Sequence, residues 1–455
     1  MAYESRNPFS DELIGKFELI SDSELALALE ASNNTFRQWR LSNFRERTDL
    51  LRKFADLLLE EKELHAELIS SEMGKPKKQA LAEVVKSASA CMYYVDRAEL
   101  ILEERHLESS DSKSKLIYSA QGTVFAIMPW NYPYWQLIRC LAPAVASGNC
   151  VVLKHASNVP RCAHMLEETF KRAGAPRGLF TNLFISHEQS AKLIENRFIR
   201  SISLTGSNYD GEIIAAKAGS CTKKCVLELG GSDPFIVFDD ADAEKAAVAA
   251  LTGRFQNSGQ SCIASKRLFV QAGIYDLFME YFVSGVKSLR CGDPMDKETD
   301  IGPLINKQAV RELRDQVERS VKAGARIVCG DLDSKYGEAF FDPMVLEDVP
   351  MDSALAVEET FGPVMPVFRF ENYESMIDDV NSSIFGLGSS VWTNNPELIS
   401  NVERDIDCGM LSINGFTRSD PMIPFGGVKS SGYGRELSDL GMMEFLNIKT
   451  VSRYS

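Results

Sequence analysis

TVFAIMPWNYPYWQLIRCLAPAVASGNCVVL, residues 123–153, is an apolar run, a polar break and a helical pattern that leads into a second apolar run. Thr123–Met128 is short and rich in β-branched and aromatic side chains, so we expect a buried strand there. Cys150–Leu153 predicts a second strand, and the helical stretch before it is about 15 residues long. This order predicts a βαβ unit with parallel strands.

The same alternation continues along the chain. Leu183–Ile185 and Ser201–Leu204 predict further strands of this first sheet. Beyond Phe235, strand patterns at Arg267–Val270 and Ile327–Cys329 alternate with helical ones and predict a second α/β unit. The residues before the first strand are mostly helical in pattern. We therefore expect an α/β fold with ligands at the carboxyl ends of its parallel strands.

Composition limits the classes of partner. The chain has 455 residues, of which 25% are charged, and its formal net charge is −14. Because an acidic surface repels a phosphate backbone, we expect no nucleic-acid partner. No run of about 18 apolar residues occurs, and the first residues lack the pattern of a signal peptide. We expect a soluble cytoplasmic protein with no membrane association.

The ten cysteines are spread along the chain and include no Cys-x-x-Cys pair. Cys221 and Cys225 lie close together, but no second close pair completes a zinc site, so we expect no metal. A chain of this length also needs no disulfide framework. Reduced thiols agree with the expected cytoplasmic location.

One cysteine differs from the rest in its surroundings. Phe255–Cys262 reads FQNSGQSC and places a thiol after a polar turn, where Gly259 permits tight backbone geometry. A free cysteine is most often a small buried apolar residue, and that interpretation suits Cys150. It suits Cys262 less, because its preceding neighbours are polar.

Two other polar side chains follow predicted strands. Glu228 begins a Glu-Leu-Gly-Gly segment after the strand at Cys225–Leu227, and is either an exposed strand end or a poised base. Asn131 follows the first strand between two prolines, and is either a turn residue or an amide that stabilises an oxyanion. Each signal is weak by itself.

Together these segments resemble the aldehyde dehydrogenase superfamily, and the resemblance runs from about Asn7 to Val451. Further matching motifs occur in order: Glu72-Met-Gly-Lys-Pro76, Leu204-Thr-Gly-Ser207, Gly292-Asp-Pro294, Glu358-Glu-Thr-Phe-Gly-Pro-Val364, Asn414-Gly415 and Pro424-Phe-Gly-Gly-Val-Lys429. The resemblance implies three parts. They are a Rossmann-type cofactor domain (1–106 and 121–228), an α/β catalytic domain (229–435) and a small oligomerisation sheet (107–120 and 436–455). It also implies a homodimer or homotetramer.

The resemblance implies a mechanism. Cys262 is then the nucleophile that attacks an aldehyde, and the Asn131 amide and the Cys262 N–H hold the oxyanion. Oxidation leaves a thioester on Cys262, and Glu228 activates the water that hydrolyses it.

The resemblance also implies a nicotinamide cofactor. Its contacts are expected from Trp130, Lys154, Ser207, Leu229, Glu359 and Phe361. One departure is informative, because many members of the family carry a glutamate where this chain has Ser157. That glutamate binds the ribose 2′-hydroxyl, and its loss removes repulsion against a 2′-phosphate. We expect NADP to be preferred and NAD to remain possible, the alternative being that Ser157 only relaxes discrimination.

The expected substrate is a small acid aldehyde. Trp135 and Arg139 are four residues apart in a helical pattern and therefore share a face. Within the family the chain is most similar to bacterial succinate-semialdehyde dehydrogenases, which implies that Arg139 and Ser419 hold the distal carboxylate, with Arg418 as an additional candidate.

Several alternatives stay open at this point. The same mechanism serves glutarate semialdehyde or an aliphatic aldehyde. A CoA-acylating relative would lack the base at Glu228. A cysteine hydrolase would need a histidine, and only His155 lies near the expected cleft. An inactive relative is disfavoured by the joint presence of Cys262, Glu228 and Asn131.

Overall fold

Two parallel sheets organise the chain in the computed structural model, which describes residues 3–108 and 112–454. The helices in chain order are α1 Asp22–Trp39, α2 Phe44–Glu60, α3 Lys62–Met73, α4 Lys77–Ile101, α5 Trp135–Ala146, α6 Pro160–Arg172, α7 His187–Glu195, α8 Asn208–Ser220, α9 Ala243–Phe255, α10 Tyr275–Ser288, α11 Lys307–Ala323, α12 Ala354–Val357, α13 Tyr373–Asn381, α14 Pro396–Asp405 and α15 Ser438–Met443. A 3₁₀ turn, Gln256–Gly259, follows α9.

The strands in chain order are β1 Tyr3–Arg6, β2 Leu13–Phe17, β3 Arg105–Leu107, β4 Lys113–Ala120, β5 Thr123–Met128, β6 Cys150–His155, β7 Phe180–Asn182, β8 Ile199–Thr205, β9 Lys224–Glu228, β10 Asp233–Val237, β11 Ser265–Gln271, β12 Arg326–Cys329, β13 Met344–Glu347, β14 Val364–Phe370, β15 Phe385–Gly386, β16 Gly388–Trp392, β17 Met410–Ile413, β18 Val428–Lys429, β19 Gly432–Tyr433 and β20 Leu446–Arg453.

The first sheet has the order β19-β9-β8-β5-β6-β7, and all its neighbours are parallel except β19. The predicted βαβ unit is confirmed as β5, α5 and β6. Every residue of α5 is buried, because the helix packs against α4 on one side and this sheet on the other. The four central strands of the sheet, β5, β6, β8 and β9, are parallel, so their carboxyl ends lie along one edge. The last residues of these strands are Met128, His155, Thr205 and Glu228.

One predicted strand of this sheet was wrong. The strand β7 is Phe180–Asn182, and Leu183–Ile185 lies just beyond it. Leu183 and Ile185 are buried at 2% and 1% exposure, so their apolar character reflects core packing. Part of the backbone there bonds to the N-terminal segment, since the Ile185 carbonyl accepts from the Tyr3 hydroxyl at 2.8 Å.

The second sheet has the order β12-β13-β14-β11-β10-β16-β17, and only β12 runs antiparallel to its neighbour. The inner strand β10 of this sheet is fully buried, as expected for a strand covered on both faces. The predicted strands at Arg267–Val270 and Ile327–Cys329 are confirmed as parts of β11 and β12.

A third, antiparallel sheet joins distant segments. The tail strand β20 pairs with β4 over eight residues, from Leu446 opposite Ala120 to Arg453 opposite Lys113, and β3 pairs with the other edge of β4. Residues 109–111 of the segment expected to form this sheet lie outside the described residues.

Two further features of the described chain bear on the site. The short strand β19 returns to the first sheet and sets Gly432 opposite Glu228. Among residues 3–108 and 112–454, no helix combines the length and apolar character that a bilayer crossing needs.

Candidate active site

Cys262 lies in a loop whose backbone is held in an unusual conformation. Asn257 and Ser258 have φ angles of 55° and 54°, in the left-handed region that few residues adopt. Gly259 follows with φ of 73°, and a Cβ there would lie 2.3 Å from the Gly362 carbonyl oxygen. The side chain of Arg254 holds this loop against the segment that contains Gly362.

The Arg254 side chain is completely buried between α9 and the Glu358–Val364 motif. It donates to the carbonyls of Val364 at 2.7 Å and Thr360 at 3.1 Å, and also to Gly362. Burial lowers the pKa of this guanidinium to about 9. The Glu358–Val364 motif therefore packs against the cysteine loop and restricts its conformation.

The thiol of Cys262 is half-buried, and burial raises its pKa to about 12. The positive charges of Arg139 and Lys266 oppose that rise. The Lys266 ammonium donates to the Cys262 carbonyl at 2.6 Å. The side chain is thus a thiol at neutral pH, and nucleophilic attack requires a proton acceptor or added positive charge.

Asn131 is held in place on both ends of its side chain. Its Nδ2 donates to the Gln260 carbonyl at 3.0 Å, and its Oδ1 accepts from Gln136 Nε2 at 2.9 Å. Asn257 Nδ2 also donates to the Asn131 carbonyl at 3.0 Å. An amide carries two N–H donors, and the bond to Gln260 uses one of them. The other is available to an oxyanion at the cysteine loop.

Glu228, the last residue of β9, is 1% exposed. Among the described residues, neither of its carboxylate oxygens has a hydrogen-bond partner. Burial, and next the negative charge of Glu436, raise the pKa of Glu228 well above its ordinary value. A Cβ on Gly426 would lie 2.8 Å from Glu228 Oε1, so the Pro424–Lys429 motif leaves room for this carboxyl. These are the properties of a general base.

Arg139 lies on α5 but is not a free cation. Its Nε is 2.7 Å from Oε2 of Glu436, although the N–H is not aligned for a hydrogen bond. The guanidinium also stands 4.5 Å from the centre of the Phe425 ring and donates to Thr205 Oγ1 at 3.4 Å. Arg139 is 2% exposed, so Glu436 supplies the countercharge for a buried cation.

A cavity of about 730 Å³ opens beside the cysteine loop. It brings together four residues expected from the sequence: Cys262, Trp135, Arg139 and Ser419. Arg418, the additional candidate, also lines it. Lys86 of α4 was not expected. Its ammonium donates to Ser419 Oγ at 2.7 Å and stands 4.3 Å from the centre of the Trp135 ring.

Polar groups also gather at the carboxyl edge of the first sheet. Lys154, in β6, has its pKa lowered by burial, against the charge of Asp210. Ser157 is exposed in the turn after β6. Ser207 caps α8 by accepting from the Asp210 N–H at 3.2 Å. Leu229 is buried directly after Glu228. The hydroxyl groups and the lysine at this edge suit a dinucleotide, which presents phosphates and ribose hydroxyls.

The remaining expected cofactor residues lie between this edge and the cysteine loop. The rings of Trp130 and Phe361 meet edge to face at 5.8 Å. Glu359 Oε1 accepts from the Gly231 N–H at 3.1 Å and pairs with Lys266 at 3.1 Å. The same lysine bonds the Cys262 carbonyl, so one ammonium connects Glu359 to the cysteine loop.

Buried charges also fix the start of α5. Glu83 accepts from the N–H groups of Tyr134 and Trp135 at 2.9 and 3.1 Å, and it pairs with the buried Lys75. Lys75 belongs to the Glu72–Pro76 motif, which therefore supports the helix that follows Asn131. Sequence patterns gave no indication of Glu83, because a single acid in a long helix is usually solvated.

His155 is excluded as a catalytic partner of the thiol. Its Nδ1 accepts from the Ala156 N–H at 2.9 Å, and its Nε2 lies 3.0 Å from the Pro133 carbonyl. Both ring nitrogens are occupied, and burial lowers the pKa of His155 to about 4. The cysteine hydrolase alternative thereby loses its candidate base.

Comparison with known proteins agrees with this geometry. The model of the aldehyde dehydrogenase family matches residues 1–451. The chain belongs to the aldehyde dehydrogenase family.

Two curated aldehyde dehydrogenases illustrate the likeness. A probable succinate-semialdehyde dehydrogenase [NADP(+)] of Synechocystis sp. is 42% identical, over 99% of both chains. Succinate-semialdehyde dehydrogenase [NADP(+)] 1 of Mycobacterium tuberculosis is 42% identical over 98% of both. Among solved structures, the succinic semialdehyde dehydrogenase of Streptococcus pyogenes, in complex with NADP+, is 36% identical. It superposes with a TM-score of 0.97 over all of both chains.

Proposed function

We propose that this aldehyde dehydrogenase oxidises succinate semialdehyde to succinate, with NADP as the preferred cofactor and NAD as a possible one. The observation that carries the proposal is a cavity that holds Cys262 together with Lys86, Arg139 and Ser419. A thiol and cationic donors in one cavity suit an aldehyde that carries a carboxylate. The names of the curated relatives support the same substrate and cofactor.

The reaction begins at the Cys262 sulfur, which bonds to the aldehyde carbon while its proton passes to a base. The oxygen of the aldehyde becomes an oxyanion that accepts from the Asn131 amide and the Cys262 N–H. Asn131 is rigid, because Gln136 and Gln260 fix both ends of its amide. The carbonyl re-forms as a thioester on Cys262, and a nicotinamide cofactor, when bound, would supply the acceptor for the hydride that leaves the carbon.

Glu228 then acts on water. Its carboxylate takes a proton as the water oxygen attacks the thioester carbon, and the carbon–sulfur bond breaks to release the acid. A carboxylate without hydrogen-bond partners is a stronger base than a solvated one, which suits this role. The proton that Glu228 accepted then passes to the Cys262 sulfur, and the enzyme is ready for another aldehyde.

The residues of the first sheet fit a phosphorylated dinucleotide. Lys154 and Ser157 would hold the ribose and its 2′-phosphate, and Ser207 at the start of α8 would lie near the pyrophosphate. Leu229 and Trp130 would line the cleft, and Glu359 with Phe361 would position the nicotinamide ribose. The half-buried ammonium of Lys154 supports this assignment, since burial lowers its pKa and the charge of Asp210 opposes that change.

We further propose a cofactor domain at 1–106 and 121–228, a catalytic domain at 229–435 and an oligomerisation sheet at 107–120 and 436–455. The antiparallel pairing of β20 with β4 supports a sheet made from the last two segments. A homo-oligomer in the cytoplasm is the assembly and location that we propose.

Initial rates of reduced-cofactor formation test the function. The wild type should oxidise succinate semialdehyde with a much higher kcat/KM than butanal, which has the same carbon number without the carboxylate, and Cys262→Ser should abolish both reactions. Ser157→Glu should shift preference from NADP towards NAD, because the new carboxylate repels a 2′-phosphate. A wild type with equal kcat/KM for both aldehydes would overturn the substrate assignment.

A further inference from the structure

Lys86 occupies a position in the cavity that is unusual for a lysine. It lies on α4, three residues after Glu83, and its side chain is half-buried. Its ammonium donates to Ser419 Oγ at 2.7 Å, and it also faces the Trp135 ring at 4.3 Å. The ring restricts hydration on one side of the cation and holds it over the cavity.

Two other buried cations near the cavity already have countercharges. Glu436 pairs with Arg139, and Glu83 pairs with Lys75. Among the described residues, Lys86 forms no ion pair within 4.0 Å, and Glu83 and Asp420 are acids whose charges act on it. Glu83 already forms an ion pair with Lys75 and accepts hydrogen bonds from two backbone N–H groups. The charge of Lys86 is therefore available to a ligand.

The hydrogen bond between Lys86 and Ser419 leaves donors of both side chains available to a ligand. Because Ser419 Oγ accepts from the ammonium, its hydroxyl hydrogen is free to donate elsewhere. A lysine ammonium has three N–H donors, of which this bond uses one. A carboxylate in the cavity can accept from the serine O–H and from a second ammonium N–H, and both bonds would be charge-assisted.

We propose that Lys86, acting with Ser419, selects aldehydes that carry a carboxylate at the end remote from the aldehyde carbon. The proposal rests on the proposed function and adds a residue to it. Arg139 then acts mainly through its pair with Glu436 and contributes to substrate binding from a distance.

The ionisation of Lys86 gives the proposal a consequence that can be measured. Burial, followed by the charge of Arg139 and more weakly that of Arg418, lowers the pKa of Lys86 to about 8, while Glu83 and Asp420 oppose the change. The ammonium is charged below that pH and neutral above it. Preference for the acid aldehyde should therefore decline above about pH 8 in the wild type.

The test compares kcat and KM for succinate semialdehyde and butanal at saturating NADP. Lys86→Met should raise KM for succinate semialdehyde about 10- to 100-fold, the loss of a hydrogen bond to a charged group, and leave kcat and both butanal constants within about twofold. Lys86→Arg should retain most of the preference. Lys322→Met, which removes an exposed lysine of α11, is the matched control and should behave as the wild type.

Three outcomes decide the matter. An unchanged KM for succinate semialdehyde in Lys86→Met, or equal damage to both aldehydes, overturns the assignment of Lys86 while the wild type still prefers the acid. A wild type without that preference overturns the proposed function and this proposal together. If Lys86→Met does not fold, the ratio of kcat/KM for the two aldehydes across pH in the wild type decides instead, because groups shared by both reactions cancel. A ratio that stays constant through pH 8 counts against Lys86.

Discussion

The buried pair of Arg139 and Glu436 allows a prediction that separates stability from substrate binding. The two side chains are 2% and 1% exposed, and 2.7 Å separates Nε from Oε2. Arg139→Met leaves the Glu436 carboxylate buried without its cation and close enough to Glu228 to act on its pKa. Removing one partner of a buried pair costs about 3–5 kcal/mol of unfolding free energy.

This cost should lower the melting temperature by roughly 6–20 °C, at about 2–4 °C per kcal/mol for a domain of about 200 residues. The double variant Arg139→Met/Glu436→Gln removes the stranded charge as well. It should recover most of the loss, because replacing both partners of a buried ion pair is often neutral. Arg45→Met removes an arginine whose side chain is 90% exposed and should change the melting temperature little.

Differential scanning calorimetry at one pH, protein concentration and scan rate measures these shifts, since an apparent melting temperature depends on all three. The KM for succinate semialdehyde is then measured on the double variant. If Arg139 holds the substrate carboxylate directly, KM stays high although stability returns. A single variant as stable as the wild type, or a double variant no more stable than the single one, would refute the reasoning.

Three further predictions concern the catalytic groups. Glu228→Gln should stop thioester hydrolysis and yet stabilise the fold. The pKa of Glu228 is raised in the folded protein, so its carboxyl lowers the free energy of unfolding increasingly as the pH rises above 4.5, the ordinary pKa of a glutamate. The gain in melting temperature of Glu228→Gln should therefore grow with pH. A gain that is constant with pH would contradict this. Asn131→Ala should lower kcat about 10²- to 10³-fold in steady-state assays with little change in KM, whereas an equal effect on KM would indicate lost substrate binding. Iodoacetamide should label Cys262 slowly at neutral pH without cofactor, as mass spectrometry can follow, because burial raises the pKa of its thiol to about 12. Rapid labelling that does not depend on pH would argue against a buried thiol.

Much of the fold could be predicted from the apolar runs. Thr123–Met128 is apolar over a length that only a short strand or buried helix explains, and the following break settles the choice. The error at Leu183–Ile185 has a physical origin, because apolar residues in a buried loop and in a buried strand look alike. The two-residue strand β19 gives no periodic signal at all, although it brings Gly432 to Glu228.

The residues of the site likewise fall into those that the sequence can single out and those that it cannot. Cys262, Glu228 and Asn131 adjoin turns and strand ends, where glycine and proline mark special backbone geometry, so a sequence can single them out. Lys86 and Glu436 carry no such mark. A lysine on a helix is normally solvated. The Lys86 side chain points towards the cavity because α4 packs against α5, which begins at Trp135.

The negative net charge of the protein is compatible with the negative charge of the proposed substrate. A net charge of −14 does not attract an acid aldehyde, but charges spread over the surface are screened beyond about 8 Å at physiological ionic strength. Around the cavity the balance of charge is different, because Lys75 pairs with Glu83 and Arg139 pairs with Glu436. Lys86 keeps its charge within hydrogen-bond distance of Ser419, where screening is weak. Recognition of an anion therefore depends on which buried cations lack a buried partner, and the total charge of the chain has little influence on it.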